Sequence, residues 1–460
     1  MKKNYIYKVM FVSALLAVSV SCKKPLDVEP KDEIGQEFAL NTSKDVEAAL
    51  VGAYSDLGDE KFYGGLPFIF SEFLANTNAI RWTGTYEELT QPYNQAVLKT
   101  NSYVEDVWKF GYSAVNDVNN VLSAIDKVDE AKKARVEGEA KFIRGAVHFE
   151  LVRLFAKAYN DGSASTNLGV PIVLTPTTVV DEASYVSRAT VAAVYQQVIK
   201  DLTEAEALLP ETNGFFAAKY TAAAMLAKVY LQMGDYTSAA AAADRVISSG
   251  VYTLASTYSG AFPVKQEPGR SATPGPNTPE DIFAMQVNTL TGYNDFNQFF
   301  ASSGYGGRGD AAIQTAWIDA NYVDGDDRKN SFYVGGARTF SSKFANQYGN
   351  VPVIRFAEIY LIRAEANVRL GTSVGAAPID DLAMIRTRAG LTTTSATLAD
   401  ILKERRLELA FEGAALHDAK RTATNVGTIA WNDNRLVLPI PQREIDANNK
   451  LIQNPGYLAQ

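Results

Sequence analysis

Histidine, the residue most often used to move protons or hold zinc, occurs only at positions 148 and 417, and cysteine only at position 22. A histidine-based triad, a cysteine-rich metal site and an internal disulfide therefore lack their material. No HExxH, GxSxG or phosphate-cradling Gly-Lys-Ser/Thr pattern is present. The run Gly304-Tyr305-Gly306-Gly307-Arg308-Gly309 has the GxGxxG spacing. It follows Phe299-Phe300-Ala301-Ser302-Ser303 rather than a hydrophobic strand, so a dinucleotide site is not expected. Asp324-Gly325-Asp326-Asp327 has the start of a calcium loop, but the required glycine falls on Lys329 and the closing glutamate on Gly335. A solvated acidic turn is the expectation, and no catalytic residue, cofactor or metal ligand is assigned.

What the residues do supply is aromatic and polar material for holding a ligand, which by itself does not decide between a glycan and a peptide. Flat aromatic faces cover the C–H faces of sugar rings, while amide, carboxylate and guanidinium groups meet their hydroxyls. One loop-like run carries Asn76, Asn78, Arg81, Trp82, Tyr86 and Gln91, and a second carries Tyr293, Asn294, Tyr305, Arg308, Asp310 and Trp317. The expected ligand-binding residues are Asn78, Arg81, Trp82, Tyr86, Tyr293, Tyr305, Arg308 and Trp317. Trp82 leads, because an isolated tryptophan amid Asn, Arg and Thr is poorly accounted for as core. Trp317 has the helix-packing neighbours Ile313, Ala316 and Ile318 as a rival explanation.

These residues need a frame. The chain has 460 residues, 47% hydrophobic and 21% charged, enough for a large core, and its pI near 5.1 argues against a nucleic-acid partner. It opens with Lys2, Lys3 and Lys8, then an apolar run Val9–Val20, then Ser19-Val20-Ser21-Cys22. A largely apolar run of twelve residues is too short to span a membrane and suits the core of a signal peptide. The pattern resembles a bacterial lipoprotein signal over residues 1–21, with Cys22 as the acylated first mature residue. Loss of three lysines takes the net charge from −8 to −11.

Most of the body has helical periodicity. Val104, Val107, Trp108, Val115, Val118, Val121 and Leu122 mark one stripe, and helices are expected near 101–128, 131–159, 191–209, 221–234 and 239–248. Ala223–Ile247 reads as helix, Gly-Asp-Tyr turn and alanine-rich helix, resembling a tetratricopeptide repeat, and a similar unit covers Tyr360–Ala389. Residues 60–100 and 255–350 have few helical stripes and many Gly, Pro, Asn and aromatic residues. A mainly α fold follows, with a helical-repeat frame at 22–255 and 351–460 and a loop-rich binding subdomain at 256–350.

The C-terminal third is more specific. Val353-Ile354-Arg355-Phe356-Ala357-Glu358 runs into Arg363-Ala364-Glu365-Ala366. Ile385-Arg386-Thr387-Arg388-Ala389-Gly390, Glu404-Arg405-Arg406-Leu407-Glu408-Leu409-Ala410-Phe411-Glu412-Gly413, Leu438-Pro439-Ile440-Pro441 and Asn454-Pro455-Gly456 follow. Together with Gly52-Ala53-Tyr54, Phe142-Ile143-Arg144 and Leu226-Ala227-Lys228-Val229-Tyr230, these segments resemble the SusD/RagB family of nutrient-binding outer-membrane lipoproteins. The departure is Ala414-Ala415-Leu416-His417, where the family usually has an arginine soon after Glu-Gly. The charged positions Arg386, Arg388, Glu404, Glu408 and Glu412 are expected to form structural ion pairs, the glutamates sharing one helix face.

The resemblance implies a SusD-like α-helical fold, lipid-anchored on the outer membrane and facing the cell surface. It implies no catalysis, an oligosaccharide ligand, and delivery to a SusC-like TonB-dependent transporter. Three alternatives stay open: a peptide-binding member of the family, a helical-repeat scaffold whose ligand is protein, and a lipoprotein hydrolase with two carboxylates about 5–10 Å apart.

Overall fold

The computed structural model describes residues 40–262, 268–269, 271–290 and 292–457. The signal segment and Cys22 lie outside them. Fifteen α-helices occur among the described residues. They are α1 Ser43–Gly58, α2 Leu66–Leu74, α3 Glu87–Tyr93, α4 Ser102–Ser123, α5 Glu130–Phe155, α6 Val191–Leu208, α7 Lys219–Met233 and α8 Tyr236–Ser248. Then come α9 Asp295–Phe300, α10 Thr315–Asn321, α11 Phe356–Leu370, α12 Pro378–Arg388, α13 Leu398–Glu408, α14 Ala415–Arg421 and α15 Gln442–Ala447.

The helices start and stop where local chemistry directs. Thr42 and Asp45 form a reciprocal capping box at α1, and the Asn101 side chain accepts from the backbone N–H of Tyr103 and Val104 to open α4. The stripe on α4 is buried at Val104, Val107, Trp108, Val115, Val118 and Val121. Between α7 and α8, Gly234 sits at φ +77° and Asp235 caps the next helix through Ser238 N–H. The alanines 222–224, 227, 239, 240, 242 and 243 are buried along this pair, so the two backbones approach closely.

Packing runs largely in chain order. Helix α1 lies on α4, α4 on α5, α5 on α6, α6 on α7, α7 on α8, α8 on α11, and α11 on α12 and α13. Helix α5 is covered on nearly all sides from Gly138 to Phe155. Its buried Arg144 donates to Asp201 on α6 at 2.9 and 2.7 Å and to Asn119 on α4 at 3.0 Å, tying three helices together.

Both segments read as poor in helix contain some. Residues 60–100 hold α2 and α3, and 255–350 hold α9 and α10. Helix α2 escaped the periodicity test because all nine of its residues are buried, so LPFIFSEFL shows no polar face. Residues Glu280–Val287 supply the strand β2, Asp281–Met285. The others are β1 Ile80–Trp82, β3 Ala311–Ile313, β4 Phe332–Gly335, β5 Arg338–Ser341 and β6 Val351–Arg355. Four form an antiparallel sheet in the order β1-β3-β5-β4, and β2 pairs antiparallel with β6. The ladder β1–β3 aligns Ile80 with Ile313, Arg81 with Ala312 and Trp82 with Ala311, joining the two aromatic-bearing segments. One hydrophobic cluster extends from Val46 to Leu451 and includes Phe283, Phe296, Phe300 and Phe344 of the insertion.

Candidate functional site

The arginines and glutamates of the C-terminal segments are largely paired inside the molecule. Arg355, at the end of β6, donates to Glu412 at 2.7 and 2.9 Å, to Glu280 at 3.0 Å and to Glu408 at 3.2 Å. Arg388 bonds Glu280 and Glu408, Arg386 reaches Glu404 at 3.0 Å, and Arg405 joins Glu358 and Asp418, each at 2.8 Å. Burial alone would raise Glu408, yet Arg388, Arg355 and Arg328 hold its carboxyl down to about 2. The ion pairs between helices are as expected, with one correction: α13 ends at Glu408, and Glu412 lies beyond it, after Phe411 at φ +68°.

The remaining sequence candidates for chemistry are also accounted for. His148 is fully buried, its Nδ1 3.0 Å from the Arg144 carbonyl, and burial lowers it to about 4. His417 is buried with its Nε2 3.7 Å from Glu150, and burial, then Arg153 and Lys420, hold it well below the usual imidazole value. Gly304–Gly309 includes a short 3-10 turn at Ser303–Tyr305 and no strand–helix junction. The acidic turn is not fully solvated: Asp326 is buried and its carboxylate accepts from Arg328 at 2.9 and 2.8 Å.

Trp82 is a clear correction. It is 8% exposed, donates from Nε1 to Thr90 Oγ1 at 2.9 Å, and packs edge-on against Phe73 and Phe299. Its polar neighbours misled because strand alternation turns Arg81 out and Trp82 in. The other expected residues divide between the two ends of the β1–β3 ladder, about 10 Å of chain.

At the far end, Thr83 N–H donates to the Asp310 carbonyl at 2.8 Å. There the Arg308 guanidinium lies 4.9 Å above the Tyr86 ring and bonds Asp310 at 2.7 Å. Tyr305 packs 4.8 Å from Tyr333, and Tyr293, 52% exposed, lies 5.4 Å from Tyr348. Gln347, between Tyr348 and Gly306, links these pairs through its bond to the Gly306 carbonyl. Tyr86, Tyr305 and Tyr293 are thus each packed against a cation or a second ring.

At the near end, Gln314 N–H donates to the Ala79 carbonyl at 2.9 Å and leads straight into α10. Here α10, α13, the loop after α2 and the turn before α14 enclose a cleft of about 470 Å³. That lies within the range of about 300–1,000 Å³ typical of small-ligand sites. Asn76 holds the loop wall, accepting from Ala79 and Ile80 N–H at 3.0 Å and donating to the Ile80 carbonyl at 2.8 Å. Asn78 projects beyond it at φ +64°, exposed. Trp317 lines the cleft, mostly covered, with Phe411 at 5.2 Å and the Arg406 guanidinium 5.7 Å over its ring. Asn321 donates to the Trp317 carbonyl at 2.7 Å, and its amide oxygen has no bonded partner among the described residues. Glu72, on α2, accepts from Gly413 N–H at 2.8 Å, and burial pushes its carboxyl up to about 7.

Of the expected residues only Trp317 reaches the cleft; Asn321, Arg406, Phe411 and Asn425 were missed. A signal for Arg406 was present. Successive helical residues point about 100° apart, so Arg405 and Arg406 cannot both join the inner ion pairs.

Residues 24–231 match the SusD-like family described as starch-binding and associating with the outer membrane, and residues 314–435 match the SusD family. The chain belongs to the SusD/RagB family. A SusD-like protein of Formosa agariphila is 27% identical, aligning over 98% of this chain and 99% of its own length. Among solved SusD-superfamily structures, one from Bacteroides thetaiotaomicron is 26% identical with a TM-score of 0.75, covering 90% of this chain and all of its own. A Bacteroides vulgatus protein reaches a TM-score of 0.80 at 26% identity over 91% of this chain and 100% of its own. A laminarin-binding SusD-like protein shares the fold at 24% identity and a TM-score of 0.74, covering 91% and 100%. No helix among the described residues is long and apolar enough to cross a membrane.

Proposed function

We propose that the protein is a non-catalytic cell-surface lipoprotein, anchored through Cys22, that captures an oligosaccharide and hands it to a SusC-like TonB-dependent transporter. The observation that carries the glycan reading is the cleft. It sets apolar walls, in which Trp317 and Phe411 are almost wholly buried, beside the amides of Asn321 and Asn425 and the guanidinium of Arg406. Such a mixture covers C–H faces while hydrogen-bonding hydroxyls. The family description as starch-binding supports it, as does the fold shared with a laminarin-binding protein. From the cleft the glycan chain passes the exposed Asn78 and Arg81 toward Tyr86, Arg308, Tyr305 and Tyr293 at the far end of the ladder.

The test is affinity electrophoresis of the mature protein against a polysaccharide panel, followed by calorimetry with the retained glycan. Asn321→Ala and Asn425→Ala are expected to weaken binding by about five- to twenty-fold each, the loss of one or two hydrogen bonds. Tyr86→Ala and Tyr293→Ala should weaken long chains more than short ones. Full affinity in both cleft variants would move the site out of the cleft. Retention of peptides and of no glycan would replace the cargo.

A further inference from the structure

The charges around the cleft are unequal in a way that points to its cargo. Five ionisable side chains line it: Glu72, Asp418, Lys403, Arg405 and Arg406. Both carboxylates are committed. Asp418 accepts from Arg405 at 2.8 Å and from Arg421 at 2.7 Å, while Glu72, 6% exposed, accepts backbone N–H groups of Gly413 and Ala415. Arg405 is buried and its charge is paired with Asp418 and Glu358, although its Nη1 has no hydrogen-bond partner among the described residues. Lys403 and Arg406 are different. Both are exposed, neither has an ion pair among the described residues, and they stand three residues apart on α13, on one helix face. Arg406 is held over the Trp317 ring, which orients its guanidinium at the cleft lip. They are the two cations lining the cleft that have no carboxylate partner among the described residues.

We infer that the cleft selects an acidic oligosaccharide, one bearing uronate carboxylates or sulfate esters, whose anionic group docks between Lys403 and Arg406. This rests on the glycan reading above. A guanidinium meets a carboxylate or sulfate through two parallel hydrogen bonds, which no hydroxyl of a neutral sugar reproduces. The chain as a whole is acidic, so a local pair of cations also steers an acidic chain to this place.

The test compares polygalacturonate, alginate and carrageenan with their carboxyl-reduced or desulfated counterparts, by affinity electrophoresis and then calorimetry on oligosaccharides. At least one acidic polymer is expected to be retained, with its neutral counterpart about ten-fold weaker or more. Binding should fall steeply toward 1 M salt, where the Debye length is about 3 Å. Retention of carboxylated but not sulfated polymers identifies uronate, and the reverse identifies sulfate. The double variant Lys403→Gln, Arg406→Gln should lose about ten-fold or more with an unchanged melting temperature, since neither side chain joins the buried network. Equal affinity for the neutral counterparts, or an unaffected double variant while Asn321→Ala still weakens binding, overturns the acidic cargo and leaves the glycan reading standing. Retention of no polymer, acidic or neutral, overturns both.

Discussion

Glu72 shows how far one side chain's setting departs from its type. It is buried on α2, and burial lifts its carboxyl to about 7, against backbone donors that pull the other way. An acid raised in the folded state holds an extra proton between its unfolded value, about 4.5, and about 7, so its contribution to stability declines as pH rises through that window. Glu72→Gln keeps an acceptor for Gly413 N–H and removes the ionisation. The variant should match the parent near pH 4 and exceed it by about 1–3 kcal/mol near pH 8, measured by urea unfolding at both values. A gap that does not change with pH would refute this. Nothing in the sequence around Glu72 announces the shift, because it comes from burial, and the turn that packs on it, at Gly413 and Ala415, is more than three hundred positions away.

Among the elements, the turn between α13 and α14 is the one the cleft depends on. Gly413 has φ +84°, and a Cβ there would lie 2.6 Å from Phe68 Cδ1 and 2.8 Å from Phe68 Cα on α2. Gly234, at φ +77° between α7 and α8, has nothing nearer than the Tyr236 hydroxyl at 3.8 Å. Gly234→Ala should therefore cost only the left-handed backbone penalty of about 1 kcal/mol. Gly413→Ala adds a steric conflict with a helix and should cost more than about 2 kcal/mol, read from denaturant midpoints. Equal costs would mean that α2 gives way without loss. The helix pairs were readable because their stripes and caps are local. Helix α2 and the three-residue strands were not, since a segment buried all round has no period and a short strand is defined by its partner.

Across the whole molecule, the insertion is woven into the frame. Strand β1 pairs with β3, β2 pairs with β6, and Arg355 of β6 bonds Glu280 beside β2. The hydrophobic cluster crosses from frame to insertion without a break. Unfolding is therefore expected as one transition, with far- and near-ultraviolet circular dichroism coinciding. Deletion of residues 256–350 should leave no folded frame. Two separated transitions would show the insertion to be an independent domain.

The sequence alone determined the helical frame, the membership of the SusD/RagB family and the structural role of the arginine–glutamate pairs. Each of these is written in local periodicity or in the order of short segments. It also singled out the two aromatic-bearing segments, which the β1–β3 ladder joins. Only the tertiary structure decided that Trp82 is core, that Trp317 lines a cleft while Tyr86 and Arg308 sit at the other end of the same ladder, and that Lys403 and Arg406 remain unpaired. Whether a ring or a charge meets solvent depends on which distant segment covers it, and that information belongs to the packed chain rather than to any stretch of it.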